Sequence, residues 1–216
     1  VITDPQGNEH KLVLPMPGRF NVANALVALA VSELAGLPIE DALAGIAHVV
    51  VPGRLQRIDE GQDYLAIVDY AHKPAAVAAV IATLRSEIKG RLCVVLGAGG
   101  DRDASKRAIM GREAARGSDL FIVTDDNPRS EDPAVIRAAV EAGAYELPTE
   151  ERGEVRNIGD RAAAIRAAIA WAEPGDAVLV AGKGHETGQN VNGVIHHFDD
   201  REEVRAALQE RRTGSL

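Results

Sequence analysis

The sequence predicts an α/β protein, a doubly wound and mostly parallel sheet preceded by a short helical segment. Three observations point there. From residue 54 onward, short apolar runs alternate with stretches of helical period. The runs are rich in Val, Leu and Ile, as strands buried in a parallel sheet are. Before residue 52 that alternation is absent, and an Ala/Leu-rich helical pattern replaces it.

The elements follow in order. Residues 1–15 alternate polar and apolar around Pro5-Gln6-Gly7-Asn8, which suggests a hairpin with a weak second strand. Pro15 and Pro17-Gly18 end it. A helix follows from Asn21 and stops near Gly36, and a second runs over 39–47 behind Pro38. Val49-Val50-Val51-Pro52-Gly53-Arg54 breaks the helical pattern, so a boundary falls there and the expected domains are 1–52 and 53–216. Strands are then expected at 64–69, 91–96, 119–124, 154–158 and 176–181, with an edge strand at 194–198. Helices are expected at 75–88, 105–116, 133–142, 161–172 and 200–211. Asp132-Pro133 reads as a helix start, with Asp at the cap and Pro in the first turn.

Composition narrows the class. Of 216 residues, 46% are hydrophobic but only 3% aromatic, so the core must be aliphatic. A net charge of −8 argues against non-specific nucleic-acid binding as the main task. The single cysteine, Cys93, lies inside an apolar run and reads as a buried structural thiol. No run is long enough for a membrane span, and the start does not read as a signal peptide. The expectation is a soluble cytoplasmic protein that, lacking an initiator Met, is a piece of a longer one.

The polar oddities fall just after strands. They are Asp69-Tyr70-Ala71-His72-Lys73-Pro74, Gly97-Ala98-Gly99-Gly100-Asp101-Arg102-Asp103, Asp125-Asp126-Asn127-Pro128-Arg129 and Gly182-Lys183-Gly184-His185-Glu186. In a parallel sheet these strand ends share one rim, where ligands bind. Each loop also has a plainer reading. His72 could be an idle surface imidazole, and Arg129 could pair with a neighbouring Asp. The glycine run could be a tight turn, since the dinucleotide fingerprint is absent. Arg102 could balance Asp101 and Asp103. Lys183-Gly184 resembles a phosphate-binding fragment, but G-x-x-x-x-G-K-S/T occurs nowhere in the chain. Glu186 could sit at a helix start. Taken together, the rim offers cationic forks from Arg102 and Arg129 and acceptors from Asp126 and Glu186. That mixture suits a ligand with carboxylate and ammonium groups, an amino acid.

Several of these motifs occur together elsewhere. Gly18-Arg19-Phe20-Asn21-Val22-Ala23-Asn24, Pro52-Gly53-Arg54, Asp69-Tyr70-Ala71-His72, Gly99-Gly100-Asp101-Arg102-Asp103, Asp126-Asn127-Pro128-Arg129 and Ala181-Gly182-Lys183-Gly184-His185-Glu186 stand in one order over most of the chain. As a set they resemble the C-terminal part of the Mur ligases, ATP-dependent amide-forming enzymes of peptidoglycan synthesis. The resemblance implies a Rossmann-like C-terminal amino-acid-binding domain at 53–216, and in 1–52 the tail of a central ATP-binding domain. Asp-Asn-Pro-Arg looks like the family's signature for meso-diaminopimelate. By that match Arg102, Asp126, Asn127, Pro128, Arg129, Gly182 and Glu186 bind the amino acid, with Arg129 on its distal carboxylate and Glu186 on its distal ammonium. Asn24, Arg54 and Asp69 match positions that contact the nucleotide, and His72 a position near the reacting phosphates.

The chain departs from the whole enzyme in lacking the P-loop, the carbamylated lysine and the Mg²⁺ ligands. ATP and Mg²⁺ would be held mainly elsewhere, UDP-MurNAc-dipeptide would be the partner substrate, and no metal ligand is assigned within this chain. The fragment alone is expected to be inactive. Alternatives are a lysine-adding or folylpolyglutamate synthase-like ligase, or a non-catalytic amino-acid-binding module.

Overall fold

The computed structural model describes residues 1–216, which divide into two compact units, Val1–Val51 and Pro52–Leu216. In the first unit β1 (Ile2–Thr3) pairs antiparallel with β2 (Glu9–His10), Ile2 opposite His10. The Asp4 carboxylate ties the turn, accepting from the amides of Gln6 at 3.0 Å and Asn8 at 2.7 Å. The helices α1 (Arg19–Leu34) and α2 (Ile39–Ala47) follow. Ala25 and Leu29, one turn apart, are buried on α1. Glu40 and Asp41 stand in the first turn of α2, where the helix dipole favours negative charge.

The second unit runs β3 (Gln56–Arg57), β4 (Leu65–Asp69), α3 (Pro74–Glu87), β5 (Leu92–Leu96), α4 (Lys106–Gly117), β6 (Leu120–Val123) and α5 (Pro133–Tyr145). It continues with β7 (Glu154–Asn157), α6 (Arg161–Trp171), β8 (Ala177–Ala181), β9 (Gly188–Val191), β10 (Val194–His197) and α7 (Asp200–Arg212). One six-stranded sheet has the order β3-β4-β8-β5-β6-β7. Its pairings are parallel except β3 with β4. This is the doubly wound α/β fold that the alternating pattern predicts.

Strand alternation sorts the core into two layers. Leu92, Val94, Leu96, Phe121 and Val123 face α3, α4 and α5. Cys93, Val95, Ile122, Val178 and Val180 face α6 and α7. Cys93 is fully buried, and that burial pushes its thiol pKa up, as suits a structural residue. Three helices, α5, α6 and α7, start on a capping aspartate: Asp132 accepts from Ala134 N, Asp160 from Ala163 N and Asp199 from Arg201 N. Each such cap is worth roughly 0.5–2 kcal/mol.

Two features depart from the sequence expectation. The sheet gains an antiparallel edge, β3, too short to leave a periodic signal. Val194–His197 does not join the sheet edge; it pairs with β9 as a separate hairpin. Asn192 and Gly193 both adopt positive φ at its tip, which a tight two-residue turn requires.

Register positions the functional rim. Asp69 and Leu96 both lie opposite Ala181, and Leu96 opposite Val123. The C-terminal ends of β4, β8, β5 and β6 are therefore level. The helix after β5 packs on one face of the sheet, while α7, which follows β8, packs on the other. Adjacent strands whose connections leave in opposite directions open a crevice, the favoured ligand position in such sheets.

Candidate functional site

A cavity of about 350 Å³ lies at this crevice, lined in part by His72, Arg102, Asp126, Arg129, Gly182 and Glu186. Four loops distant in sequence build it, and all belong to the second unit. Two close approaches hold the loops together. A Cβ on Gly97 would collide with the Thr124 carbonyl, and one on Gly100 with the Pro128 carbonyl. The glycine run is therefore a contact surface for the neighbouring loop, and Gly100 N donates to Asn127 O at 2.9 Å.

Arg129 has an unusual backbone, with φ +53°. The hairpin holds it there: Arg129 N donates to Asn190 O at 2.9 Å, and Asn192 N to Arg129 O at 2.7 Å. Its Nη1 donates to Gly100 O at 2.6 Å, leaving Nε and Nη2 unclaimed at the cavity. It does not pair with an aspartate; Asp125 is taken by Arg137 instead. Arg102 is exposed, with one contact at 3.3 Å to the Asp101 carbonyl. It forms no salt bridge with Asp101 or Asp103; their carboxylates accept from Ser130 and Ser105 and are held below the usual range chiefly by those bonds, with the nearby charges of Arg129 and Arg102 adding to the effect at Asp101.

The acceptors lie on the adjoining loops. The Asp126 carboxylate is mostly buried, takes no hydrogen bond from the protein and faces Gly182. A Cβ on Gly182 would come within 2.7 Å of Asp126 Oδ2, and the glycine sits at φ +117°. Glu186 does not start a helix. Its Oε2 accepts from Asn127 Nδ2 at 2.9 Å and lies 3.4 Å from Lys183 Nζ. Asn127 Oδ1 accepts from Asn190 N at 2.9 Å, so this amide supports the loops around it. Pro128 is buried outside the cavity lining, and its contribution is the carbonyl packed on Gly100. Lys183, phosphate-like in sequence, is fully buried.

A second cluster stands beside the cavity. Asp69 is buried, and its oxygens accept from Leu55 N at 2.7 Å and Ala71 N at 2.8 Å. Burial pushes its pKa up, against those amides and Arg54. The Arg54 guanidinium lies 4.3 Å over the Tyr70 ring. His72 meets the same ring edge-on at 4.5 Å, and its Nδ1 donates to the Tyr70 carbonyl at 2.8 Å. Since a carbonyl only accepts, that bond leaves Nε2 as the free ring nitrogen. Asn24 lies on α1 of the first unit, exposed, its amide 3.3 Å from Asn21 Oδ1.

The structure thus brings together His72, Arg102, Asp126, Asn127, Arg129, Gly182 and Glu186, while Arg54, Asp69 and Pro128 stand behind or beside them. Sequence reasoning placed Lys73 on a rim loop without a role and did not single out Lys106; both also line the cavity. Lys106 Nζ donates to His72 O at 3.2 Å, linking two loops. Its position on the first turn of the helix after the glycine loop was the available signal.

Known proteins share this arrangement of chain. The UDP-N-acetylmuramoyl-L-alanyl-D-glutamate--2,6-diaminopimelate ligase of Corynebacterium glutamicum is 59% identical over 217 residues, covering 100% of this chain and 42% of its own. The enzyme of that name from Corynebacterium efficiens is 63% identical over 210 residues, covering 96% of this chain and 40% of its own. A solved structure of a ligase with the same name matches with TM-score 0.71 at 38% identity, over 97% of this chain and 42% of that one. The chain therefore spans 40–42% of the length of these relatives. The family model for the Mur ligase, glutamate ligase domain, matches residues 53–184, and by that match the chain belongs to the Mur ligase family.

Proposed function

We propose that this chain is the C-terminal part of an ATP-dependent ligase that adds meso-diaminopimelate to UDP-MurNAc-L-Ala-D-Glu. One observation carries the reading. Cationic forks and unclaimed carboxylate oxygens converge on a single cavity of about 350 Å³, the low end of small-ligand pockets. In this reading Arg129 and Arg102 take the distal carboxylate, and Asp126 with the second oxygen of Glu186 takes the distal ammonium. Each charge-assisted contact contributes roughly 1.5–3 kcal/mol. An amino acid lacking the distal carboxylate would leave the guanidinium unpaired, which is how such a site discriminates. Among the relatives, those named for 2,6-diaminopimelate support that choice over lysine.

Residues 1–52 are, in this proposal, the tail of a central ATP-binding domain. Arg54 and Tyr70 offer an exposed cation stacked on an aromatic ring, which suits a nucleotide. Asp69 has both carboxylate oxygens on backbone amides and acts by fixing the Tyr70 loop. Asn24 belongs to the nucleotide set by resemblance. The chain has no group of three His, Cys, Asp or Glu able to hold a metal.

When bound, ATP supplies the phosphoryl group that activates the dipeptide carboxylate as an acyl phosphate. The cavity holds the far end of diaminopimelate, so its other amine, deprotonated, attacks the acyl carbon. The tetrahedral intermediate collapses to amide and phosphate, and the nitrogen proton is lost to base. His72 Nε2, free beside Tyr70, is the group in this chain suited to receive it. Orientation and water exclusion are the chain's main contributions. The test is calorimetric titration with meso-diaminopimelate and with L-lysine; equal affinity for both would overturn the reading. The isolated chain should release no phosphate with all substrates present.

A further inference from the structure

Lys183 is fully buried, yet it lines neither the cavity nor the surface. A buried ammonium is costly unless its protons find acceptors. Here three are present: Gly188 O at 2.6 Å, Asn127 Oδ1 at 3.3 Å and Glu186 Oε2 at 3.4 Å. These belong to three different parts of the site, the hairpin, the Asp126–Arg129 loop and the Gly182–Glu186 loop. The network also fixes orientations. Asn127 Oδ1 faces two donors, Lys183 Nζ and Asn190 N, so its Nδ2 must face Glu186. Glu186 Oε2 then receives both Asn127 and Lys183, which leaves Oε1 as the oxygen available to a ligand. Through Gly188, Lys183 also anchors β9, which holds the positive-φ Arg129 backbone by two hydrogen bonds, one to Asn190 O within the strand and one from Asn192 N in the turn that follows. Gln189 adds a strap to the Asp126 carbonyl at 2.8 Å.

We propose that Lys183 is the positioning residue that sets amino-acid selectivity, aligning the Glu186 acceptor and the Arg129 fork without touching the ligand. This inference rests on the function proposed above. Its ammonium joins all three segments, as the Asn127 amide also does, and it supplies the positive charge at their junction, so its removal lets ammonium and carboxylate recognition drift apart. A stability role alone would lower the active fraction for every substrate equally.

The test is steady-state kinetics of the full-length ligase carrying this chain, unaltered and as Lys183→Met and Lys183→Gln. In the unaltered enzyme, preference for meso-diaminopimelate over L-lysine is measured first; its absence overturns the function proposed above and this inference with it. Given that preference, the Met variant should raise KM for diaminopimelate about tenfold or more and lower the preference over lysine by a similar factor. The KM for ATP should not move and kcat should fall less than KM rises. The Gln variant, keeping a donor but no charge, should fall between. A fall in kcat with KM and preference unchanged overturns the inference. So does failure of both variants to fold, which would assign Lys183 to the fold alone.

Discussion

Arg161 and Asp200 form a bidentate ion pair in the interior, Nε to Oδ1 at 2.7 Å and Nη2 to Oδ2 at 2.8 Å, with neither side chain exposed. The same guanidinium donates to Ala181 O at 2.9 Å and Asp125 O at 3.3 Å. It therefore joins the ends of β8 and β6 from beneath the cavity and ties them to the start of α7. Desolvation opposes the charge on Arg161, but Asp200 together with the carboxylates of Asp126 and Glu186 outweighs it and holds the guanidinium pKa up.

Removing one member leaves the other charged and buried. Asp200→Asn should destabilise the fold by about 3–5 kcal/mol, and Arg161→Met by a similar amount. The double variant Arg161→Met with Asp200→Leu should lose less than the sum. Urea denaturation midpoints of the three proteins check this; additive losses would mean the pair is not coupled.

Gly100→Ala should part the two central loops. The new methyl would meet the Pro128 carbonyl, which is backbone and cannot turn aside. An overpacking cost of about 1–3 kcal/mol is expected, with a larger loss of diaminopimelate binding because Arg129 Nη1 is bonded to the Gly100 carbonyl. Thermal melting and ligand titration on the same sample separate the two effects.

Arg129→Lys should weaken diaminopimelate about ten- to a hundredfold while changing ATP binding little. A point ammonium cannot satisfy Gly100 O and a carboxylate in one plane. Comparable losses for both ligands would count against Arg129 as the carboxylate fork.

Asp176 gives a pH signature. Its carboxylate accepts from Arg91 N at 2.7 Å, Arg91 Nη2 at 2.6 Å and Glu173 N at 3.0 Å. Burial raises its pKa, yet these donors prevail and hold it below the usual value. A depressed folded pKa means stability that is complete above the unfolded pKa and lost as pH falls through the folded one. The stability gap between the unaltered protein and Asp176→Asn should be constant near neutrality. It should close below about pH 4, where the unfolded-state carboxyl titrates. Denaturation from pH 7 to pH 2.5 reads this directly.

His197 behaves in the opposite sense. Its bond to Glu202 at 2.6 Å raises its pKa, so its contribution is complete below the unfolded value and lost as pH rises through the folded one. His197→Gln should remove that loss on the alkaline side, seen as a flatter melting-temperature profile above about pH 6.5.

The chain order of residue types was enough for the α/β fold, because burial in a parallel sheet demands aliphatic runs of strand length with helices between them. Leu120-Phe121-Ile122-Val123 could hardly be anything else. The rim was legible for the same reason: Asp126, Arg129, Gly182 and Glu186 each follow a strand, and parallel strands end together. What escaped was short or long-range. β3 contributes two residues, too few for periodicity. The β9–β10 hairpin is read from a turn that Asn192-Gly193 could have signalled, but its attachment to Arg129 is a contact across about sixty residues.

Residue identity by itself determined which groups reach the rim: guanidinium and carboxylate side chains are set by position after a strand. Only the folded chain decided which of them remain free. Lys183 and Asp126 are both polar residues on rim loops, yet one is spent on three internal acceptors and the other keeps its carboxylate open to the cavity. The physical reason is that hydrogen-bond partners here come from segments far apart in sequence. Whether a buried charge is satisfied or available depends on distances that no local pattern encodes.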